Sequence, residues 1–405
     1  MALLSVADAL ARVLADVEPS SREFVALKDA DGRVLADDIA ARRTQPPADL
    51  SAMDGYAVRA ADVATAPATL RLIGEIAAGH PFGGTVAAGE AARIFTGGVM
   101  PFGADTVVIQ EHTHRDGDRV VVERPSAAGR HIRRAGLDFH EGQVLLPRGR
   151  QLNDRDVMLA AAMNHPTLPV HARPKVAVFA TGDELKAPGS ALGPGEIVYS
   201  NGFALMALAR REGAAVIDLG IVPDDVDTTI AAIRRARESG ADILVTTGGA
   251  SVGDYDMVQR GLKAEGLDLS FWKVALRPGR PMMHGRLAAM QVLGLPGNPV
   301  SAYVCAFLFL VPLIRRLAGR TDVMPFPESA TLGAALPTND ERADYLRATL
   351  ALGADGIPVA TPVRIQDSSM MAALAKADCL VVREPFAAAA EAGSRCSILR
   401  LTRSL

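Results

Sequence analysis

Between Lys175 and Leu317 short unbroken apolar runs take turns with amphipathic stretches, and this alternation sets the first expectation about the fold. Lys175-Val-Ala-Val-Phe-Ala-Thr181 and Asp242-Ile-Leu-Val-Thr-Thr247 have the length and β-branched content of strands buried on both faces. Stretches 201–212, 226–238 and about 255–265 carry the 3.6-residue apolar repeat of helices. Segments 214–219, 270–276 and 290–295 read as further strands, and 299–317 as a long apolar helix. The pattern predicts a doubly wound, mostly parallel α/β sheet with helices on both faces. Ligands in such sheets bind outside the carboxyl ends of the strands, so chemistry is expected in the loops after Thr181, Leu219, Thr247 and Leu295.

The flanking regions differ in texture. Residues 5–17 place Val6, Leu10, Val13, Leu14 and Val17 on one helical face, with Ser5 as an N-cap. A Pro-rich break at 45–53 precedes short strands over 68–146, and a helical stretch near 153–164 closes this half. Residues 321–330 read as a linker, and the remainder alternates in short strands that suggest a small β-barrel or sandwich.

Composition narrows the function classes. Among 405 residues, 43 Lys plus Arg against 46 Asp plus Glu leave a net charge of −3, which gives no reason to expect nucleic acid or an anionic membrane as partner. The longest apolar stretches are broken by charge, Gly or Pro before ~18 residues, so no membrane span is expected. Met1 to Val6 lacks the basic-then-apolar order of a signal peptide. Cys305, Cys379 and Cys396 are scattered, which fits a reducing cytoplasm and excludes a disulfide framework or thiolate zinc site. The eight histidines contain no H-x-x-x-H pair, and His112 and His114 alternate on an expected strand.

The strand-end loops carry the chemistry. Thr246-Thr-Gly-Gly-Ala-Ser-Val-Gly253 puts small residues where backbone N–H groups approach an anion, although a tight strand-to-helix turn has the same composition. Asp254 and Asp256 follow in the first turn of the next helix. They either satisfy the helix dipole or, beside a phosphate, hold a bridging Mg²⁺. Thr181-Gly-Asp-Glu184 and Asp224-Asp225 make two more acidic strand ends. Thr181 and Glu184 have capping-box spacing, yet Pro188-Gly189 follow so soon that little helix exists to cap. In Lys273-Val-Ala-Leu-Arg-Pro-Gly-Arg280 a strand places Lys273, Ala275 and Arg277 on one face, and Arg280 follows a Pro-Gly turn. Basic groups so close suit an oxyanion, or a solvated edge strand. Leu295-Pro-Gly-Asn-Pro-Val-Ser301 opens the long apolar helix, with Pro299 suited to a helix start. In the first half Asp54, Thr96 and Asp138 lie in Gly-bounded turns that spacing alone does not mark as a site.

Taken in order, SAMDGYA, RIFTGG, RRAGLD, ATGDEL, GIVPDD, TTGGASVGDYD, FWKVALRPGRP and LPGNPVS resemble the molybdenum insertase family, molybdopterin molybdenumtransferase, over nearly the whole chain. The α/β part alone also resembles the molybdopterin adenylyltransferases. The resemblance implies an elongated subunit of four parts. These are an α/β domain (1–19 and 173–320), a mixed linking domain (20–44 and 142–172), a β-rich inserted domain (45–141) and a C-terminal β-barrel (325–405). It implies a cytoplasmic homodimer that takes adenylylated molybdopterin and molybdate, with Mg²⁺ as helper ion, and releases AMP. Transient contact with a molybdopterin adenylyltransferase or with molybdoenzyme chaperones is a further implied partnership. An adenylyltransferase and a non-catalytic pterin- or nucleotide-binding scaffold are the alternatives.

Carried over motif by motif, the resemblance gives Glu184, Asp224 and Asp256 the metal and the adenylyl phosphate region. Gly248, Gly249, Ser251 and Gly253 become a backbone cradle. Lys273, Arg277 and Arg280 sit by molybdate and the pterin phosphate, with Pro296, Gly297, Asn298 and Pro299 shaping the pocket. Asp54, Thr96 and Asp138 come from the partner subunit, and Arg347 with Ser368 contacts the oxyanion. The family pattern has Lys where this chain has Arg277 and Arg280. Arg keeps the charge but cannot lose its proton.

Overall fold

The computed structural model describes residues 3–248 and 257–401. The α/β region contains one six-stranded sheet in the order 215–222, 175–181, 243–247, 290–295, 283–287, 268–271. The first four strands are mutually parallel, 283–287 runs antiparallel to both its neighbours, and 268–271 points the same way as the first four, a mostly parallel sheet. Every residue of Lys175–Thr181 after the first is buried, because helices cover both faces. On one face lie the N-terminal helix Val6–Leu14, Asn201–Arg211 and the long helix 299–317, with Leu10, Val13, Leu205, Val304 and Leu310 in one core. On the other lie Val226–Glu238 and Met257–Ala264, with Ile233, Val258 and Leu262 against Phe179 and Leu244.

Local chemistry explains the boundaries. Val6–Leu14 starts where the Ser5 hydroxyl accepts the Asp8 N–H at 3.1 Å, and it ends earlier than the apolar face to Val17 suggests, before Asp16 at φ 52°. Val226–Glu238 starts at Asp225, whose carboxylate accepts the Thr228 N–H at 2.9 Å. Helix 299–317 opens with Pro299 and contains a π-turn over Ala306–Leu310. Its 19 residues are long and apolar enough to cross a bilayer, contrary to the expectation that no stretch reaches that length. With 78% of its most apolar window buried in the protein, that surface is already used by the core.

Among the described residues two more six-stranded sheets, a few two-stranded ribbons and a small mixed region make up the rest. Thr106–Ile109, Gly55–Val58, Glu90–Ile94, Ala68–Ile76, Arg119–Val122 and Thr113–Asp116 form a mixed six-stranded sheet between Val58, Val120 and Val122 on one face and Ile76, Ile94 and Val107 on the other. His112 belongs to a 3₁₀ turn rather than to the strand that holds His114, because the chain bends at Gln110–His112. Helix Asp154–Ala162 and the ribbon Arg22–Ala26 with Thr167–His171 enclose Leu35, Phe139, Met163 and Leu168. In the C-terminal part Ala343–Leu352 pairs with both Pro358–Pro362 and Cys379–Arg383. Arg395–Arg400 and Pro327–Leu332 complete the ring, so the barrel is closed. The expected linker 321–330 therefore ends at Phe326, since Pro327 already opens a barrel strand.

The segment expected as a strand over 270–276 is divided. Asp268–Phe271 pairs within the α/β sheet, and Leu276–Arg277 pairs with Ala343 and Asp344 of the barrel. Between them Val274 bridges Leu4, and Val274, Ala275 and Leu276 are all buried, so the alternation of faces is lost.

Candidate functional site

Strand 175–181 has later strands on both sides, which makes its carboxyl end the point where the sheet order reverses. A cleft of about 1100 Å³ opens there, lined by Thr181, Gly182 and Glu184 after the first strand and Asp224 after the second. Thr247 and Gly248 after the third and Pro296–Pro299 after 290–295 complete the sheet side. Strands 243–247 and 290–295 are direct neighbours, with Thr247 opposite Leu295, so the glycine loop and the Pro-Gly-Asn-Pro loop share a wall. Ser369 and Met371 of the C-terminal part also line the cleft.

Gly248 is required by this geometry. Its φ is +88°, and a Cβ would lie 2.3 Å from the Thr181 carbonyl oxygen. A Gly248→Ala change is expected to cost about 1–3 kcal/mol and to push the two strand-end loops apart, readable as a lower thermal midpoint together with lost activity. An unchanged midpoint and rate would contradict the close approach. Gly249, Ser251, Gly253, Asp254 and Asp256 lie outside the described residues.

No helix follows Thr181, so the capping-box reading falls. Leu185–Lys186 instead pairs with Ile197–Val198 in a short parallel ribbon, and the Glu184 carboxylate lies where a Cβ on Gly182 would go. The Asp224 N–H donates to the Asp183 carboxylate at 3.1 Å. Partial desolvation at the cleft rim raises the Asp224 carboxyl above its usual range, and the negative charges of Asp183 and Glu184 add to this, although the residue as a whole is exposed. Among the described residues no group of three His, Cys, Asp or Glu is arranged to hold a metal.

The basic residues lie elsewhere. Neither Lys273, Arg277 nor Arg280 lines the cleft, although Pro281 does. Arg277 is engaged by the barrel: its Nε donates to Asp344 at 2.7 Å, Nη1 to Asp340 at 3.1 Å, and Nη2 to Asn339 at 3.1 Å and to Asp344. Lys273 and Arg280 have no ion-pair partner among the described residues. Arg347 is 1% exposed and lies beneath loop 366–370, donating from Nε to Gln366 at 3.1 Å and from Nη1 to the Met370 carbonyl at 3.3 Å. Its Nη2 is buried without a partner among the described residues, and desolvation holds its pKa below the usual value. Arg342 is instead paired with Asp340. The Ser368 hydroxyl accepts from Asn298 Nδ2 at 3.1 Å and its carbonyl from the Val300 N–H at 3.0 Å, which joins the barrel to the cleft wall.

In the inserted sheet the structure brings Asp54 and Thr96 together. One carboxylate oxygen accepts both the Thr96 N–H and its hydroxyl at 2.8 Å, and these bonds, with the nearby Arg93, hold the Asp54 pKa down. Asp138 is exposed, and its N–H is bonded to the Gln45 carbonyl. None of the three lines the cleft of its own chain.

Sequence reasoning missed Tyr199, Ser200 and Asn201, which line the cleft at the start of Asn201–Arg211, and Leu192, Ile197 and Val198 on its rim. Ser-Asn before an apolar periodic run was a visible helix-start signal, whereas the rim residues follow no periodicity. The hydroxyls of Thr181 and Tyr199 are buried without a partner among the described residues, and burial, with a smaller effect of Asp218, pushes the Tyr199 phenol up to about 12.

Comparison with known proteins places this architecture. Residues 4–164 match the MoeA N-terminal region (domain I and II), 177–316 the probable molybdopterin binding domain, and 329–401 the MoeA C-terminal region (domain IV). A molybdopterin molybdenumtransferase of Nostoc sp. is 42% identical over 304 residues, covering 73% of this chain and 70% of the relative. One from Haemophilus influenzae is 35% identical over 383 residues, covering 94% of each. A crystal structure of a molybdopterin biosynthesis MoeA protein from Pyrococcus horikoshii superposes over 100% of both chains with a TM-score of 0.85 at 28% identity. With two such relatives matched across most of its length and all three regions present in order, the chain belongs to the molybdopterin molybdenumtransferase family, transferases of molybdenum cofactor biosynthesis.

Proposed function

We propose that this chain inserts molybdate into adenylylated molybdopterin and releases AMP, giving molybdenum cofactor. The observation that carries this reading is the cleft at the switch point, where Glu184 and Asp224 share one space with the loops at Gly248 and Pro296–Pro299. Carboxylates beside a phosphoanhydride repel it unless a cation lies between them. Glu184 and Asp224 offer the hard oxygens Mg²⁺ takes, and that ion needs only one or two carboxylates beside substrate phosphate, so the absence of a three-ligand group among the described residues does not conflict with it. Glu184, Asp224 and Asp256 would hold the ion, which when bound draws electron density from the phosphoanhydride oxygens.

The chain's own residues supply positioning. Backbone N–H groups of Gly248, Gly249, Ser251 and Gly253 cradle phosphate oxygens, and Pro296, Gly297, Asn298 and Pro299 form the opposing wall. Lys273 and Arg280 supply positive charge for molybdate. Ser368 meets the oxyanion, and Arg347 supports the Ser368 loop from beneath. Arg277 holds the barrel against its own strand through Asp340, Asp344 and Asn339. Asp54, Thr96 and Asp138 complete the site from the partner subunit of a homodimer, which fits their absence from the lining of this chain's own cleft. The four parts divide the chain at 1–19 with 173–320, 20–44 with 142–172, 45–141 and 325–405. The enzyme works in the cytoplasm, in transient contact with the adenylyltransferase before it and the chaperones after it.

Purified protein incubated with adenylylated molybdopterin, Mg²⁺ and molybdate is expected to release AMP only when molybdate is present. Tight pterin-nucleotide binding without release would favour a scaffold. Adenylylation of free molybdopterin from ATP would favour the adenylyltransferase.

A further inference from the structure

Three strand-end loops of the cleft converge on one side-chain amide. Asn201 donates from Nδ2 to the Thr247 hydroxyl at 3.1 Å and to the Gly297 carbonyl at 2.7 Å. The Thr247 hydroxyl in turn donates to the Pro296 carbonyl at 3.2 Å. Two consecutive carbonyls of the Pro-Gly-Asn-Pro loop are thereby anchored on Asn201 and Thr247. The peptide bonds that follow them are trans, so the N–H of each plane points opposite to its carbonyl. Those N–H groups belong to Gly297 and Asn298, both cleft-lining, and neither donates to an acceptor among the described residues. They also precede helix 299–317, whose N-terminal partial charge favours an anion.

We infer that Asn201 is a positioning residue which, through Thr247, fixes the Pro296 and Gly297 carbonyls so that the Gly297 and Asn298 N–H groups present a two-donor hole to a phosphate oxygen of the adenylylated substrate. The inference rests on the cleft being the reaction site. Without Asn201 the Gly297 carbonyl is free to turn toward the cleft, where it would repel the phosphate, and the Thr247 hydroxyl loses the bond that aims it at the Pro296 carbonyl. Lys273 and Arg280 are not bonded to these carbonyls, and Ser368 is still held by the Asn298 side chain and the Val300 N–H, so the effect falls on the pterin nucleotide and spares molybdate.

The test uses the full chain with Asn201→Ala, Thr247→Val and Thr247→Ser, thermal unfolding of each, AMP binding, and steady-state AMP release with either substrate varied. Asn201→Ala and Thr247→Val are expected to weaken AMP and raise the KM for adenylylated molybdopterin by roughly 10- to 100-fold, the loss of a bond to a charged group, with the molybdate KM unmoved. Thr247→Ser keeps the hydroxyl and restores binding. The double variant should lose less than the sum of the two single losses, because Asn201 and Thr247 are bonded to each other and hold adjacent carbonyls. Unaltered AMP affinity in folded Asn201→Ala, equal losses toward both substrates, or failure of Thr247→Ser to rescue would each overturn the inference. Wild-type protein that binds no AMP would instead overturn the proposed function.

Discussion

Asp224→Asn is expected to slow molybdate-dependent AMP release by roughly 10²–10³-fold, the loss typical of one preorganised electrostatic group, and to leave the fold at least as stable. The two halves of this expectation share a cause. Desolvation, with Asp183 and Glu184 nearby, raises the Asp224 pKa above 3.8, so the folded chain holds this proton more tightly than the unfolded chain. Ionised Asp224 therefore costs stability above the folded pKa, and that cost disappears as pH falls below the unfolded value. Asn removes the cost at neutral pH. Activity runs the other way, because only the carboxylate complements a cation: at limiting Mg²⁺ the wild-type rate should fall as pH drops through the raised pKa, and saturating Mg²⁺ should move that fall to lower pH. In Asp224→Asn the residual rate should lose this acid limb, and more Mg²⁺ should be needed for half-maximal rate. A wild-type rate at limiting Mg²⁺ would remove Asp224 from the ion's site.

The sequence made the scaffold legible where one local rule decided the outcome. Val226–Glu238 and Lys175–Thr181 begin and end where their apolar patterns predict, because each packs as a regular element against a regular neighbour. The acidic strand ends were legible too, since the α/β pattern alone says where loops meet. Segment 270–276 was not. It crosses from the sheet to the barrel, and the buried run Val274-Ala275-Leu276 is enclosed by Leu4 on one side and Ala343 on the other. Asn201 was equally hidden: its partners lie 46 and 96 residues away, and nothing local separates such an amide from an ordinary helix start. Arg277 read as a free cation because its partners, Asp340 and Asp344, lie beyond a whole helix in another fold unit.

Arg277→Ala is expected to loosen the barrel more than it weakens molybdate binding. Asp344 is 5% exposed and takes two of the guanidinium's bonds, so removing Arg277 strands a buried carboxylate. Breaking such a pair costs up to ~5 kcal/mol, but Arg277 is half-exposed, and solvent screening brings the expectation to about 2–3 kcal/mol. Arg277→Lys keeps the charge and loses the fork that reaches Asp344, Asp340 and Asn339 together, so it should fall between wild type and Ala. Adding Asp344→Asn to Arg277→Ala should recover part of the loss, a coupling a double-mutant cycle reads directly. Acid should act on the same clasp. Bonds from the Arg342 side chain and N–H, followed by the charge of Arg277, hold Asp340 down to about 2. Its contribution is thus complete above 3.8 and lost as pH falls through about 2. Unfolding followed over that window should show the wild-type midpoint falling as the Arg342 and Arg277 contacts to Asp340 are lost, with a smaller drop in Arg277→Ala, which has already lost one of them. A variant that keeps its midpoint but loses molybdate dependence would show instead that Arg277 leaves its carboxylates to meet the oxyanion, and that the clasp is only its resting place.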